Sequence, residues 1–192
     1  MDDKLARALA LAMFHHPRAN LQQLAQAAGT SKATLYRISP TRDGIIDLLL
    51  ERSVRHMREA LDEARLTEPP FIEALQRLTE NVMQGQEFYM FWSCSLWLDL
   101  KDGTKNFEQH GSQTTFLSDA LEAFFLRGQK AGVFRIDMPA RWLTKSYDFL
   151  LFAAIESAQR GEIAMLGMSA LVQKMFLEGA VTPREDASVH KE

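Results

Sequence analysis

The stretch LQQLAQAAGTSKATLYR, residues 21–37, predicts two short helices joined by a tight turn. Leu21, Leu24 and Ala25 recur at helical spacing and form one short apolar face. Gly29 follows where the chain has to turn, because a glycine backbone adopts positive φ without steric cost. This order of helix, glycine turn and helix is typical of a helix-turn-helix.

The second of these helices has two chemically different faces. Ser31 is a suitable N-cap, and Leu35 points back towards the first helix. The remaining positions carry side chains that suit contact with DNA, namely Lys32, Ala33, Thr34, Tyr36 and Arg37. An ordinary helical hairpin shares this spacing, so the spacing alone leaves both interpretations open.

The charge distribution favours the DNA-binding interpretation. The 192-residue chain has a formal net charge of −3, which by itself argues against a nucleic-acid partner. From Lys4 to Arg42, however, there are six basic residues and no acidic one, so the rest of the chain carries a net charge of −9. Such asymmetry indicates a cationic head on an acidic body, of which only the head is attracted to a polyanion. Chance clustering on a solvated face is the alternative.

The rest of the chain is predicted to be helical nearly throughout, with little strand-like alternation. We therefore expect an all-α protein with an N-terminal three-helix head over residues 1–48 and a helical body over residues 49–192. Breaks at glycine, proline and polar residues divide the chain into helices at about 3–15, 21–28, 32–38, 42–65, 70–84, 86–100, 113–131, 140–160 and 166–179.

The head is identified by residues 24–37, LAQAAGTSKATLYR, and the PTRD that begins at Pro40. These resemble the DNA-binding signature of the TetR family of repressors. A narrower resemblance is to NfxB-type regulators of multidrug-efflux operons, and it spans most of the chain. It includes PRANL at 17–21, TRD at 41–43, EALQRL at 73–78, FFLRGQKAGVFRID at 124–137 and MFLEGA at 175–180.

The resemblance implies a repressor that binds a palindromic operator as a homodimer and is released by a small effector. It assigns phosphate contacts to four residues, Asn20, Lys32, Tyr36 and Arg42. The candidates for the major groove are Ser31, Ala33, Thr34 and Arg37. The chain departs from the family at Ser39, where an aromatic residue usually follows the recognition helix. The resemblance therefore does not define how the recognition helix joins the next one.

The body contains two groups of apolar residues whose roles the sequence leaves open. Two C-terminal segments are more apolar than one helix face requires, and the family resemblance makes them a dimer interface rather than plain core. The candidates are Phe149, Phe152, Ile155, Val172, Met175 and Phe176. A second group suits either a hydrophobic core or a pocket for a lipophilic or aromatic cation, and consists of Met83, Phe88, Trp92, Trp97, Phe107 and Phe116.

Other chemistry is not indicated. His15 and His16 are adjacent and point apart on a helix, and Cys94 is the one cysteine, so we expect neither a metal site nor a disulfide. No catalytic or cofactor motif is present, so we expect neither an enzyme nor a cofactor. The first fifteen residues do not resemble a signal peptide, and we expect a cytoplasmic protein. The alternative is an adaptor or anti-repressor that acts through protein contacts, for which Ser39 and the acidic net charge are the best support.

Overall fold

The computed structural model describes residues 1–97 and 115–181, and these residues form helices with no strand. The helices are α1 Asp3–His15, α2 Leu21–Ala27, α3 Lys32–Ile38, α4 Arg42–Ala64, α5 Phe71–Gln84, α6 Gln86–Trp97, α7 Phe116–Lys130, α8 Ala140–Gln159 and α9 Met168–Ala180. The all-α prediction is confirmed. Within the described residues one isolated bridge pairs Phe134 with Val181. None of the helices described above combines the length and the hydropathy of a membrane-spanning segment.

The first hydrophobic cluster lies in the head. It is built from the buried faces of α1, α2 and α3, the first part of α4 and two residues of α6. Leu9, Leu24, Leu35 and Leu49 are fully buried in it. A second, larger cluster fills the body and contains the buried faces of α5 to α9 and the second half of α4.

Two helices contribute to both clusters. In α4, Ile45 belongs to the head cluster and Met57 to the body cluster. In α6, Phe88 and Phe91 belong to the head cluster, while the body cluster takes Tyr89, Met90 and Trp92. The expected boundary at residues 48 and 49 therefore falls within the continuous helix α4, and head and body share two rigid connections.

Aromatic side chains hold the centre of the body together. Phe125 contacts Phe124, Phe134, Tyr147 and Phe176, with ring centroids 5.1 to 6.4 Å apart. Edge-to-face aromatic pairs of this kind contribute about 0.5–1.5 kcal/mol each beyond the area they bury. The arrangement requires close approach at Gly128, since a Cβ on this residue would lie 2.3 Å from the Phe134 ring.

We expect Gly128→Ala to lower the free energy of unfolding by about 1–3 kcal/mol, because the added methyl group overpacks a buried aromatic cluster. Gly179→Ala is the matched control. Gly179 is also helical, but a Cβ there meets nothing within 4 Å, so that variant should gain about 0.5–1 kcal/mol from helix propensity. Urea denaturation at one protein concentration measures both. Equal stability of the two variants would contradict the packing that we describe around Phe134.

Candidate nucleic-acid interface

The turn between α2 and α3 is defined by local capping. Asn20 and Gln23 form a capping box, in which the Asn20 side chain accepts from the Gln23 backbone N–H at 3.0 Å and the Gln23 side chain accepts from the Asn20 N–H at 2.9 Å. Gly29 has φ +65°, and Ser31 Oγ accepts from the Thr34 N–H at 3.0 Å to start α3. The Gly29 turn and the Ser31 cap were expected from the sequence because they depend on residue type at fixed spacing, whereas the reciprocal bond to the Gln23 side chain was not.

Helix α3 presents one buried and one exposed face. Leu35 is fully buried in the head cluster and holds the helix in place. Lys32, Ala33 and Arg37 are exposed on the opposite side, together with Tyr36, whose side chain keeps 44% of its surface. The structure thus gives the helix the polar front and apolar back that the sequence predicted.

Four of the expected contact residues interact with one another in two pairs. The Lys32 ammonium lies 5.4 Å from the centroid of the Tyr36 ring, so the cation and the phenol occupy the same part of the surface. Ser31 Oγ lies 2.9 Å from Thr34 Oγ1. Thr34 is half-buried, and its methyl group is the part most suited to apolar contact.

Ser39 defines the corner between α3 and α4. Its side chain is buried, and its hydroxyl donates to Thr41 O at 3.0 Å and accepts from the Thr41 N–H at 3.3 Å. A Cβ on Gly44 would lie 2.2 Å from Ser39 Oγ. The corner is therefore closed by a small hydrogen-bonded residue against a glycine, with no space for an aromatic ring. This answers the question that Ser39 raised in the sequence.

Arg42 has a structural task that the sequence did not indicate. Its Nε donates to Ala19 O at 3.2 Å and a terminal nitrogen donates to Pro17 O, so it ties the start of α4 to the loop between α1 and α2. This loop ends at Asn20, the N-cap of α2. Arg42 thus positions the residues in front of α2, whereas the sequence suggested phosphate contact alone.

Arg7 is also engaged within the protein. Its guanidinium donates to Asp3 Oδ2 at 2.7 Å, to Glu87 Oε2 at 2.9 Å and to Gln84 O at 2.8 Å, and it lies over the Phe88 ring. The hydrogen bond to Asp3 and the charge of Glu87 raise the pKa of Arg7. Of the six basic residues of the head, the four with exposed side chains are Lys4, Arg18, Lys32 and Arg37.

A cleft of about 730 Å³ lies beside this surface, between the end of α1, the following loop and α2. Its walls include His15, His16 and Arg18 from the loop side and Gln23 and Gln26 from α2. No residue of α3 lines it, so the cleft is separate from the face that α3 presents.

The structure divides the candidate pocket residues of the body. Trp92 is buried in the body cluster, its ring centroid 5.9 Å from that of the half-buried Phe116, and Met83 is half-buried at the cluster's edge. Phe88, by contrast, packs in the head cluster under Arg7, so its assignment to a body pocket is corrected. Phe107 lies outside the described residues, and the Trp97 side chain does as well.

The candidate dimer residues are divided in the same way. Met175 keeps 58% of its surface, Phe149 is also exposed, and Phe152 is half-buried. Three others are buried inside the protomer and pack in the body cluster, namely Ile155, Val172 and Phe176. Leu171, which the sequence analysis did not select, is exposed on the same helix as Met175.

Sequence reasoning missed a buried polar contact between α6 and α8. The Tyr89 hydroxyl donates to Asp148 Oδ1 at 2.8 Å and to Asp148 O at 2.9 Å. Burial raises the pKa of Asp148, and burial together with this carboxylate raises that of Tyr89. The available signal was the position of Asp148, which stands directly before the apolar run from Phe149 to Ile155.

Similarity to known proteins agrees with this geometry. No family model matches the chain. The chain is 36% identical over 184 residues to the HTH-type transcriptional regulator NfxB of Pseudomonas aeruginosa, and the match covers 95% of each protein.

Solved structures share the fold at lower identity. The TetR-like transcriptional regulator LfrR of Mycobacterium smegmatis, solved in complex with proflavine, matches 94% of this chain and 96% of its own, with a TM-score of 0.67 at 22% identity. The ketosteroid transcriptional regulator KstR2 of Mycobacterium tuberculosis matches 94% of each chain, with a TM-score of 0.74 at 14% identity.

We expect Arg42→Lys to destabilise the protein by about 1.5–3 kcal/mol, because an ammonium group cannot replace the two directed hydrogen bonds to the carbonyls of Pro17 and Ala19. Arg37→Lys is the control, since Arg37 is exposed on α3 and should tolerate the change within about 0.5 kcal/mol. Thermal or urea unfolding in the absence of DNA measures both. Unchanged stability of Arg42→Lys would show that this residue does not hold the loop.

Proposed function

The chain belongs to the TetR family of transcriptional regulators, as a relative of NfxB, and from this premise we propose that it is a homodimeric repressor released from its operator by a small effector. In this proposal the head, residues 1–48, binds DNA and the body, residues 49–192, binds the effector and the second protomer. The exposed face of α3, with Leu35 buried behind it, is the observation that carries the proposal.

Helix α3 enters the major groove in this proposal. Phosphate contacts supply most of the affinity and base contacts select the sequence. We assign phosphate contacts to Lys32 and Tyr36, whose neighbouring side chains suit one backbone segment, and to Asn20 at the start of α2. We assign a phosphate contact to Arg42 as well. Its guanidinium also donates to the carbonyls of Pro17 and Ala19, and in this way it positions the loop that leads to Asn20.

Base recognition falls to the remaining exposed positions of α3 and its cap. Ala33 and the methyl group of Thr34 suit contact with thymine methyl groups, and Arg37 suits the acceptors of guanine. Ser31 has a hydroxyl that reaches either donor or acceptor groups of a base edge. One head offers few such contacts, and a two-fold dimer doubles them on a palindromic site.

The dimer is proposed to form through α8 and α9. Phe149, Phe152, Leu171 and Met175 provide apolar surface on these two adjacent helices. Apolar groups of this size on neighbouring helices suit a four-helix interface with a second copy. Ile155, Val172 and Phe176 support this face from inside the protomer.

The effector is proposed to bind in the body among Trp92, Phe116 and the neighbouring aromatic side chains. The solved complex of LfrR with proflavine supports a small aromatic ligand for this fold. By its relation to NfxB, we propose that the chain controls an efflux operon and acts in the cytoplasm. The coupling is by linkage, because a ligand that prefers one body conformation lowers the affinity of the head for DNA.

The decisive experiment is a gel shift with the promoter fragments next to the gene. The repressor proposal expects a saturable complex on a fragment that contains a palindrome, and release of that complex by efflux substrates. A titration of tryptophan fluorescence with the same compounds reports binding to the body. An adaptor or anti-repressor would bind a protein partner and give no shift on any of these fragments, which would refute the proposal.

We expect Lys32→Ala to weaken operator binding by about 1.5–3 kcal/mol per head, because it removes a charged phosphate contact. The loss should be nearly equal on operator and unrelated DNA, and the slope of log affinity against log salt should fall by about 1 per half-site. Fluorescence anisotropy over a salt series measures both quantities.

Lys130→Ala is the control for Lys32→Ala, since Lys130 is exposed at the end of α7 in the body. It should leave affinity and salt slope unchanged. A change in base preference with an unchanged slope would reassign Lys32 from phosphate to base contact.

We expect Met175→Glu to weaken the dimer roughly 100-fold or more, because a two-fold interface would bury two uncompensated carboxylates. Sedimentation equilibrium measures the dissociation constant. Leu126→Glu is the control, as Leu126 is an exposed apolar residue of similar exposure on α7. If both variants remain equally dimeric, the interface lies elsewhere than α9.

A further inference from the structure

A carboxylate lies in the interior of the body without an opposite charge. Asp148 is on α8, and both its Oδ1 and its backbone carbonyl accept from the hydroxyl of the fully buried Tyr89. The residue as a whole is half-buried, so it is not fully enclosed by the body. Tyr147 precedes it and an apolar run follows it, which makes Asp148 the charged group in an otherwise apolar part of α8.

Most charged groups on the helices around Asp148 are engaged elsewhere in the part of the chain that the structure describes, and Lys145 is an exception. On α6, Glu87 pairs with Arg7. On α7, Glu122 pairs with Arg141 of α8, and Arg127 donates to Leu66 O. On α9, Lys174 pairs with Glu178, and Lys145 of α8 itself is exposed.

Among these residues no cation forms an ion pair with Asp148. Burial raises the pKa of the carboxyl, and the hydrogen bond from Tyr89 opposes that rise. Keeping the ionised form in this position is unfavourable for the protein alone.

A second polar group close to Asp148 is also unsatisfied. Thr144 lies one helical turn earlier on the same side of α8 and is buried, with 6% of its surface exposed. Its Oγ1 has no hydrogen-bond partner among the described residues. Buried hydroxyl groups are usually paired, so an unpaired one next to an uncompensated carboxylate indicates a missing polar partner.

Aromatic rings adjoin the same contact. The Tyr89 ring lies 6.4 Å from that of Trp92, which in turn lies 5.9 Å from Phe116. The Arg58 guanidinium lies 4.6 Å from the centroid of the Phe116 ring, so this ring already faces a cation of the protein. Tyr89 is the ring whose hydroxyl contacts Asp148 directly. Aromatic faces and a carboxylate together attract an organic cation, through the ring quadrupole and through direct charge pairing. A metal ion is a poor fit, since the described residues contain no group of three or more ligating side chains.

Resting on the proposed effector-responsive function, we propose that Asp148 is the anionic recognition group of the effector site and that the effector is a lipophilic organic cation. The cation pairs with the carboxylate beside Tyr89, and a polar substituent satisfies Thr144. A neutral ligand would leave the buried charge uncompensated, and an anion would be repelled by it. The ionised carboxylate thus lowers the stability of the unliganded protein, and a bound cation restores that stability.

The test compares a cation with a neutral molecule of similar size, methyltriphenylphosphonium and triphenylphosphine oxide, on the full-length protein and on Asp148→Asn. Asparagine keeps an oxygen that accepts from Tyr89 and removes only the charge. We expect calorimetry to show saturable binding of the cation to the unchanged protein and about 10–100-fold weaker binding to Asp148→Asn. Binding of the neutral phosphine oxide should be the same for both proteins. Asp62→Asn, an exposed acid at the end of α4, is the control and should bind the cation normally.

Stability against pH gives an independent readout. A carboxyl whose pKa is higher in the folded than in the unfolded protein destabilises the folded state most at a pH where it is ionised in both. This destabilisation vanishes at a pH where the carboxyl is protonated in both. Asp148→Asn should therefore have a higher Tm than the unchanged protein at pH 8, and the difference should shrink as the pH falls through the raised pKa towards 4. A carboxylate with only a structural role would make Asp148→Asn less stable at every pH.

The outcomes separate this proposal from the proposed function. Selective loss of cation binding in Asp148→Asn, with operator binding unchanged in the absence of ligand, supports the cation site. Three results would overturn it. In the first, the unchanged protein fails to bind the cation. In the second, Asp148→Asn loses affinity for the cation and the neutral ligand equally. In the third, Asp148→Asn is less stable than the unchanged protein at all pH values. Failure of the unchanged protein to bind its promoter DNA refutes the repressor function instead, whatever the calorimetry shows.

Discussion

The rest of the structure depends on the packing of α6 between two hydrophobic cores. Phe88 and Phe91 extend from this helix into the head, and Tyr89 and Trp92 extend from it into the body. Protein interiors are close-packed, so α6 cannot rotate or slide without disturbing both cores. Arg7 strengthens the same junction, because it links α1 to Glu87 and to the carbonyl of Gln84 at the turn before α6. The head is therefore held by the body at a fixed angle, although the sequence shows it as a separate unit.

Features encoded by neighbouring residues were predictable from the sequence. Asn20, Ser31 and Thr41 cap α2, α3 and α4 because their side chains accept from an N–H three residues later, which depends on spacing alone. Leu35 was correctly expected to anchor the recognition helix, since an apolar residue within a polar helix has few other roles. The family resemblance then extended these local signals to a fold and a function.

Features that depend on distant partners were not predictable in the same way. Phe88 was grouped with pocket aromatics by its neighbours in the chain, but the rotation of α6 directs it into the head. Arg42 was assigned to phosphate by the family resemblance, and its hydrogen bonds to the carbonyls of Pro17 and Ala19 depend on how α4 crosses the preceding loop. In each case the residue type indicated an apolar or a cationic role. The partner of that residue lies far away in the chain, and the sequence did not identify it.

The proposed effector site gains significance from where it adjoins α6. Tyr89 holds Asp148 from the body side, and its neighbour Phe88 is packed in the head under Arg7. In the proposal a ligand that pairs with Asp148 binds next to the Tyr89 hydroxyl, and a shift of α6 caused by this binding would act directly on Phe88 and Phe91. Because α6 packs in both cores, only a displacement of α6 itself would change the angle of the head. A charge that is unfavourable in the unliganded protein is therefore located next to a helix that also packs against the DNA-binding head.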